Sequence, residues 1–427
     1  MSKESDLSPK ILMVNFHSTM NAGDLGLLIC AREFLLRVFP SCELSVSANW
    51  PDEPAYQENG FTVVPSPWSL SGVNIESSNL RHLGKYFLVG AKLFNTNINH
   101  TFLDYDTNCL RTAYKETDII VSVPGNQFYS SGRFGWPFPI SATGLLLAQR
   151  YKKPLVVLPQ SIGPLKRCWE KKLIRKAYGS AKRVFIRDEN SLELVRTIGL
   201  PAGKVRYTPD LALGLQPGDY FRTLEVLQEA GVNLSKPKLG VTLISKMNRS
   251  FNSQEMHNYY AVLQSALAYF AREHFVQIVF FNQVTGPTKV EDDRIPTTRM
   301  ANSLQGIGID VIHVDKSLPP ALLKSCFGQM DAFLATRLHS GIYAIGMTVP
   351  TLFIGYLTKT QGIVRSLRIE DDFIDIADLS VERLRYKLDI LWMNRIGKCN
   401  ALSKILVKAQ QQIEESIELL KQDFSNE

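Results

Sequence analysis

Long apolar runs are missing from this sequence. No stretch of its 427 residues approaches the roughly 20 consecutive apolar positions that a membrane-spanning helix needs. Its first ten residues, MSKESDLSPK, are polar and carry two acids, so they read as neither a secretory nor a transit peptide. The expectation is a soluble, cytoplasmic protein. Cysteine is sparse: Cys30, Cys42, Cys109, Cys168, Cys326 and Cys399 form no CxxC pair and have no histidine at ligand spacing. They read as small buried hydrophobes in a reducing compartment, and neither a metal site nor a bound cofactor is expected. Glycine (27) and proline (21) are too few and too scattered for a collagen-like or proline-rich chain. No internal repeat of 20–50 residues is visible, which excludes solenoids and propellers.

What is present is a globular composition, 45% hydrophobic and 21% charged, with an uneven charge distribution. The net charge is +7, yet residues 150–206 alone hold 15 Lys/Arg against 4 Asp/Glu. Such a block suits nucleic acid, an anionic sugar polymer or a phosphorylated small molecule. Its densest stretch, KRCWEKKLIRKAYGS, reads more simply as the solvated face of a helix. No nucleic-acid motif accompanies it, so no nucleic-acid partner is expected.

Short β-branched runs alternate with amphipathic helices. Strands are predicted at 11–16, 43–48, 118–124, 154–160 and 183–188, then again at 238–245, 277–283, 310–315, 332–337 and 351–356. Met256, Tyr259, Leu263, Leu267 and Phe270 recur on one helical face between two of them. Alternation of this kind predicts an α/β protein with parallel sheets covered on both faces. Two sets of strands predict two Rossmann-like domains facing across a cleft. The break falls at the turn Gln216-Pro217-Gly218-Asp219. The expected domains are 10–216, with an aromatic insertion at 49–117 that does not fit the alternation, and 217–380. Helices over 381–427 pack on the fold, with Leu406, Ala409, Ile413, Ile417 and Leu420 on one face.

Chemistry is expected at the carboxyl ends of these strands. The first opens into HSTMNAGDLG, where Asn21 and Asp24 precede or start a helix. Asp24 suits a cap for a helix beginning at Leu25, or a carboxylate that takes a proton from a sugar hydroxyl. The third strand ends at Pro124-Gly125-Asn126-Gln127 and the fourth at Gln160-Ser161. These amides and hydroxyls suit carbohydrate contacts, or a plain loop. Arg187 closes the fifth strand, free to pair with Asp188 or Glu189, while Asn190 or Ser191 can cap the next helix and Asp210 ends a later strand. The densest signal is Arg337-Leu338-His339, where the strand AFLATR runs directly into a helix, with Lys359 after the next strand. Arginine grips carboxylate or phosphate through two parallel N–H bonds, and a helix amino terminus adds favourable potential for an anion.

The ordered set Asn21-x-Gly23-Asp24, Gln160-Ser161-Ile162-Gly163-Pro164, Arg187-Asp188-Glu189-x-Ser191, Asp210, Arg337-Leu338-His339, Ala344, Gly346, Pro350 and Tyr356-x-x-Lys359 resembles the polysaccharide pyruvyl transferase family over about residues 10–375. The resemblance implies a fold similar to the B-type glycosyltransferases. It implies transfer of pyruvate from phosphoenolpyruvate onto two hydroxyls of a sugar, giving a cyclic ketal. Phosphoenolpyruvate is then a co-substrate, and no metal is required. Arg187, Arg337, Leu338 and His339 carry over as donor-binding residues. Lys359 joins them as a third cation, so that cations from separate halves clasp one doubly anionic donor. His339 is expected to protonate the donor's C3, and Asp24 to act as base. Asn21, Asn126, Gln127, Gln160 and Ser161 are the expected acceptor contacts. The acceptor is a sugar or a lipid-linked oligosaccharide, and the latter would bring the protein to a membrane surface. Oligomeric state is not readable. The chain departs from the family in having Pro124-Gly125-Asn126 where a glycine pair is frequent. Trp50, Tyr56, Phe61, Trp68 and Tyr86 in the insertion either stack on sugar rings or pack in the core. Two other readings compete: a nucleotide-sugar glycosyltransferase, which would need an acidic pair for the ribose near 335–362, and a non-catalytic polyanion-binding protein using the 150–206 block.

Overall fold

Runs of four to eight apolar residues bounded by turns form strands buried on both faces, and here they build two parallel sheets. The computed structural model describes residues 8–70, 80–98, 103–130, 138–245 and 253–425. The first sheet comprises β1 (Lys10–Phe16), β2 (Glu43–Ala48), β3 (Thr62–Pro65), β4 (Ile119–Ser122), β5 (Gly125–Phe128), β6 (Leu155–Ile162), β7 (Arg183–Ile186) and β8 (Val205–Tyr207). Its order is β3-β2-β1-β4-β6-β7-β8, with β5 beside β6. The second comprises β9 (Lys238–Thr242), β10 (Gln277–Phe281), β11 (Val311–Val314), β12 (Ala332–Ala335), β13 (Thr351–Gly355) and β14 (Phe373–Asp375), in the order β11-β10-β9-β12-β13-β14. The strand order reverses between β1 and β4 in one sheet and between β9 and β12 in the other. In open parallel sheets, those reversal points leave a crevice at the carboxyl ends of the strands.

The ten predicted strands are all present. The four that were not predicted are short, and three of them, β3, β8 and β14, lie at sheet edges. An edge strand needs only one row of partners and carries a weak pattern. β3 also revises the reading of residues 49–117. That region extends the first sheet as well as supplying helices, and β3 pairs in register with β2, Val46 opposite Val63. Two of its aromatics, Tyr56 and Phe61, are buried, and Tyr56 meets Phe16 edge to face at 5.7 Å. The side chain of Tyr86 lies outside the described residues.

The chain divides into two compact units. One contains the residues up to Thr19, Leu27–Leu211 and the segment after Gln412; the other contains Met20–Gly26 and Ala212–Gln411. The first core gathers Leu12, Val14, Ile120, Val157 and Val184 from strands against helical Leu145 and Ile174. The second gathers Val241, Ile278, Leu334 and Ile354 against Leu263, Leu267 and Phe270, the helical face foreseen above. At the carboxyl end of the chain, the helix Val381–Met393 buries Leu384 and Leu388 in the second core. The last helix, Arg395–Ser425, ends on the first unit, where Asp423 accepts from Arg183 and Ser416 meets Thr208 at 2.7 Å. No described helix is long and apolar enough to cross a membrane. Cys30 and Cys326 are buried as expected, but Cys168 is exposed at the start of a helix.

Candidate active site

The second unit builds its site around a buried ion pair. Arg337 follows β12 directly and is the N-cap residue of the helix Leu338–Gly346. Its Nε and Nη2 donate to Asp293 at 2.9 and 2.5 Å. Asp293 sits just before the helix Arg294–Gly306, and its side chain is fully buried. The same carboxylate accepts backbone N–H groups from Ser245, beyond β9, at 2.9 Å and from Val284, beyond β10, at 3.2 Å. One residue thus ties together three strand ends at the reversal point of the sheet. Burial pushes the Asp293 carboxyl up, and the Arg337 guanidinium pulls against that push. Burial also works against the charge on Arg337, but Asp293 overrides it and holds the guanidinium above its ordinary value. Facing four N–H donors, Asp293 stands as the anion of the pair. With Nε and Nη2 committed, Arg337 keeps Nη1 without a hydrogen-bond partner among the described residues. The guanidinium is aimed and rigid before any ligand arrives.

His339 is the second residue of the helix that Arg337 introduces, and is buried, at 5% exposure. Against it lies the segment Met20–Gly26, which belongs to this unit although β1, the strand that delivers it, belongs to the other. A Cβ on Gly23 would sit 2.5 Å from Nδ1 of His339 and 2.6 Å from Nε2 of Gln283. Only glycine allows that approach. The segment is held by Ala22 N–H donating to the Gln283 carbonyl at 2.9 Å and by Tyr343 Oη donating to the Ala22 carbonyl at 2.7 Å. Ser340 Oγ donates to Oε1 of Gln283, and Gln283 Nε2 reaches Oδ1 of Asn21 at 3.4 Å.

The expected roles shift here. The helix begins at Ala22 rather than Leu25. Its cap is Asn21, whose Oδ1 accepts from Gly23 N–H at 3.0 Å and whose carbonyl accepts from Leu25 N–H at 3.0 Å. Asp24 therefore stands in the first turn, half-buried, and is not the cap. Asn21 has a structural duty in addition to any contact with an acceptor. Leu338 is buried as the first helical residue. Lys359 lies in the first turn of the helix Thr358–Leu367 after β13, on the same sheet edge as Arg337.

The first unit carries the remaining candidates at the carboxyl edge of its own sheet. Arg187 is fully buried. Its Nη1 donates to Asp210 at 2.6 Å and its Nε to Ser161 Oγ at 2.9 Å. Its partner is thus neither Asp188 nor Glu189. Asp188 instead caps the next helix, accepting from Ser191 N–H at 2.9 Å, and neither Asn190 nor Ser191 takes that place. Gln160, fully buried in β6, donates through Nε2 to the Val123 carbonyl. Gln127 donates through Nε2 to the carbonyls of Pro124 (3.4 Å) and Asn15 (3.5 Å). These bonds fix which end of each amide is oxygen. Gln160 Oε1 and Gln127 Oε1 are then buried acceptors without a partner among the described residues, and Asn126 Oδ1 is likewise unpartnered. Gly125, paired with Gln160 across β5 and β6, has φ of 149°, and a Cβ there would meet Gln127 Nε2. The departure from a glycine pair therefore still keeps glycine where the backbone requires it.

Asp293, Gln283 and Ser245 surround Arg337 and His339 and are neighbours that sequence reasoning missed. Asp293 follows Glu291 and Asp292 in a polar turn, and nothing in the spacing separates it from them.

The two parallel α/β units, with candidate residues at the carboxyl ends of the strands, have the fold of the B-type glycosyltransferases and of UDP-GlcNAc 2-epimerases. The Anabaena Alr3699/HepE structure in complex with UDP-glucose matches with a TM-score of 0.57 and 13% identity, over 98% of this chain and 100% of that one. The S. aureus MnaA–UDP structure matches with a TM-score of 0.59 and 11% identity, over 92% and 90%. A glycosyltransferase from Rickettsia africae matches with a TM-score of 0.54 and 11% identity, over 98% and 100%. At these identities the likeness is one of fold. The family model for polysaccharide pyruvyl transferase matches residues 21–358, and the chain belongs to that transferase family.

Proposed function

We propose that the protein transfers pyruvate from phosphoenolpyruvate onto two hydroxyls of a sugar, in a polysaccharide or its precursor, and releases phosphate. The observation that carries this reading is Arg337. It is locked to a buried carboxylate by two of its nitrogens, has its third aimed elsewhere, and is followed at once by a histidine in a helix amino-terminal turn. A preorganised cation beside a helix amino terminus suits a small anion and adds little reorganisation cost when charge develops.

In this reading Arg337, with Lys359, holds the carboxylate and phosphate of the donor, and Leu338 lines the donor. His339 delivers a proton to C3 as a sugar hydroxyl attacks C2. Asp24, one residue from the glycine that touches His339, takes the proton of the attacking hydroxyl. The bond from C2 to the phosphate oxygen then breaks, and the second hydroxyl closes the ketal. One hydroxyl proton in effect replaces that given to C3, and the other leaves with phosphate. Arg187 enters differently from the first expectation. Fully buried and bonded to Asp210 and Ser161, it braces the edge on which the acceptor contacts lie.

The acceptor contacts are Asn126, Gln127 and Gln160. Their unpartnered oxygens are acceptors, so they call for a ligand rich in donors, as a sugar's hydroxyls are. The ionised phosphate ester and carboxylate of phosphoenolpyruvate offer no such donors. The location is read as cytoplasmic and the acceptor as sugar or lipid-linked oligosaccharide.

The test is incubation with phosphoenolpyruvate and a panel of galactose-, mannose- and N-acetylmannosamine-type acceptors, reading released phosphate and the acceptor's mass gain. Arg337→Ala is expected to lower turnover more than tenfold. The competing reading, a nucleotide-sugar glycosyltransferase, draws on the nucleotide-sugar ligands of the structural neighbours. It would be favoured if UDP-sugars, and not phosphoenolpyruvate, stabilise the protein against heat; a ligand at 100 times its Kd adds about 2.7 kcal/mol.

A further inference from the structure

One carboxylate in the second unit fixes two hydrogen-bond donors that have no partner among the described residues. Arg337 is the first: Nε and Nη2 hold Asp293, and Nη1 remains. Ser245, beyond the carboxyl end of β9, is the second. Its Oγ is buried and makes no hydrogen bond among the described residues. A buried hydroxyl without an acceptor forfeits stability, and a ligand that supplies the acceptor recovers it.

Neither donor is loosely placed. Ser245 N–H donates to Oδ1 of Asp293 at 2.9 Å, and Arg337 Nη2 donates to that same oxygen at 2.5 Å. No more than those two bond lengths separates the serine amide from the guanidinium. The preceding residue is held as well, its carbonyl accepting from Tyr260 Oη at 2.7 Å. Burial and the Asp293 charge both push the Tyr260 pKa up, so the phenol keeps its proton and that bond persists at neutral pH. Thr242 Oγ1 also lacks a partner among the described residues, but Thr242 is wholly buried inside β9, in register with Phe281 of β10 and Ala335 of β12. Ser245 lies past the strand end and is half-buried as a residue, on the edge that carries Arg337 and His339.

A guanidinium nitrogen has no lone pair to offer, so the group that meets both donors must be an acceptor. Hydrogen bonds to an ionised acceptor are about twice as strong as neutral ones. The helix Leu338–Gly346 begins at the same place and favours negative charge. We propose that Ser245 is a further residue of the phosphoenolpyruvate site, its Oγ donating to the oxyanion, phosphate or carboxylate, that Arg337 takes. The inference rests on the reading of Arg337 given under the proposed function. A neutral hydroxyl adds direction and no charge, so its loss is read in affinity.

The full chain is titrated calorimetrically with phosphoenolpyruvate, inorganic phosphate, pyruvate and UDP. Ser245→Ala is expected to weaken phosphoenolpyruvate binding at least about tenfold, the weight of one hydrogen bond to a charged group, with Tm kept or raised and the acceptor's KM within twofold. A parallel loss for inorganic phosphate places the hydroxyl on the phosphate; a loss for pyruvate places it on the carboxylate. Ser245→Cys nearly keeps the shape but offers only a weak S–H donor, and is expected to lose almost as much. Thr242→Val is expected to bind as the wild type does. If the wild type binds UDP and not phosphoenolpyruvate, the proposed function fails, while a tenfold loss of UDP affinity in Ser245→Ala still upholds the role of Ser245 toward an oxyanion. Affinity of Ser245→Ala within twofold of the wild type for whichever anion binds overturns the inference alone. Full affinity in Ser245→Cys, an equal loss in Thr242→Val, or a wild type that binds none of the four also overturns it.

Discussion

Replacing Asp293 with asparagine removes one charge and one acceptor oxygen from the centre of the second unit, and it nearly conserves volume. The consequences follow from the four N–H groups that meet this carboxylate. The amide has one oxygen to offer them, and its NH2 faces donors. Breaking a buried ion pair by removing one partner costs roughly 3–5 kcal/mol, because the other charge remains buried. Arg337 has 15% side-chain exposure, so some relief by water places the expected loss near the lower end, about 3 kcal/mol. In a domain of roughly 200 residues each kcal/mol moves Tm by about 2–4 °C, so Tm is expected to fall by about 6–12 °C. Turnover is expected to fall more than tenfold at a temperature where the variant is folded, because Arg337 loses the two bonds that aim it. The assay is urea or thermal unfolding alongside phosphate release. Combining Asp293→Asn with Arg337→Met separates the two effects. Removing the guanidinium that Asp293→Asn leaves unpaired restores part of the stability, while turnover stays low. A single variant with Tm within about 1 °C of the wild type and turnover within twofold would refute the account of Arg337 as a preset cation.

Gly23→Ala places a methyl 2.5 Å from Nδ1 of His339. It is expected to lower turnover severalfold or more, with a Tm loss of a few degrees, as read by phosphate release and thermal unfolding. His339→Gln is expected to depress turnover more than donor affinity if the residue delivers a proton; equal losses in kcat and in donor Kd would leave it a binding role only. His313, whose pKa burial lowers from 6.5, gives a pH dependence of stability. The unfolded chain takes up this proton first as pH falls, so the stabilisation is full above about 6.5 and is lost below it. Between pH 7 and 5 the wild-type Tm is expected to fall further than that of His313→Gln; parallel curves would remove His313 from that effect.

Much of the fold was legible because its signals are local. The stretches at 278–281 and 332–335 are unbroken apolar runs, and the face of Met256, Tyr259, Leu263, Leu267 and Phe270 repeats at helical spacing. Arg337 and His339 were legible for the same reason: a strand's end and a helix's start are adjacent in the chain. β3, β5, β8 and β14 escaped because short stretches such as GNQF and VRY hold too few apolar residues to show a pattern. The beginning of the first helix was misread because capping is decided by which side chain reaches a backbone N–H, and Asn21 and Asp24 both qualify by type.

By itself, the sequence determined ten of the fourteen described strands, that they make two sheets, and which candidate residues fall at strand ends. Tertiary structure alone decided the partner of each charge. Arg187 passed over its neighbours for Asp210, 23 residues on, and Arg337 found Asp293, 44 residues back. Local periodicity records only what a residue buries against its own element. An ion pair between distant segments is chosen by the geometry of the packed sheet, where burial leaves a charge few partners within reach and a mismatch costs several kcal/mol.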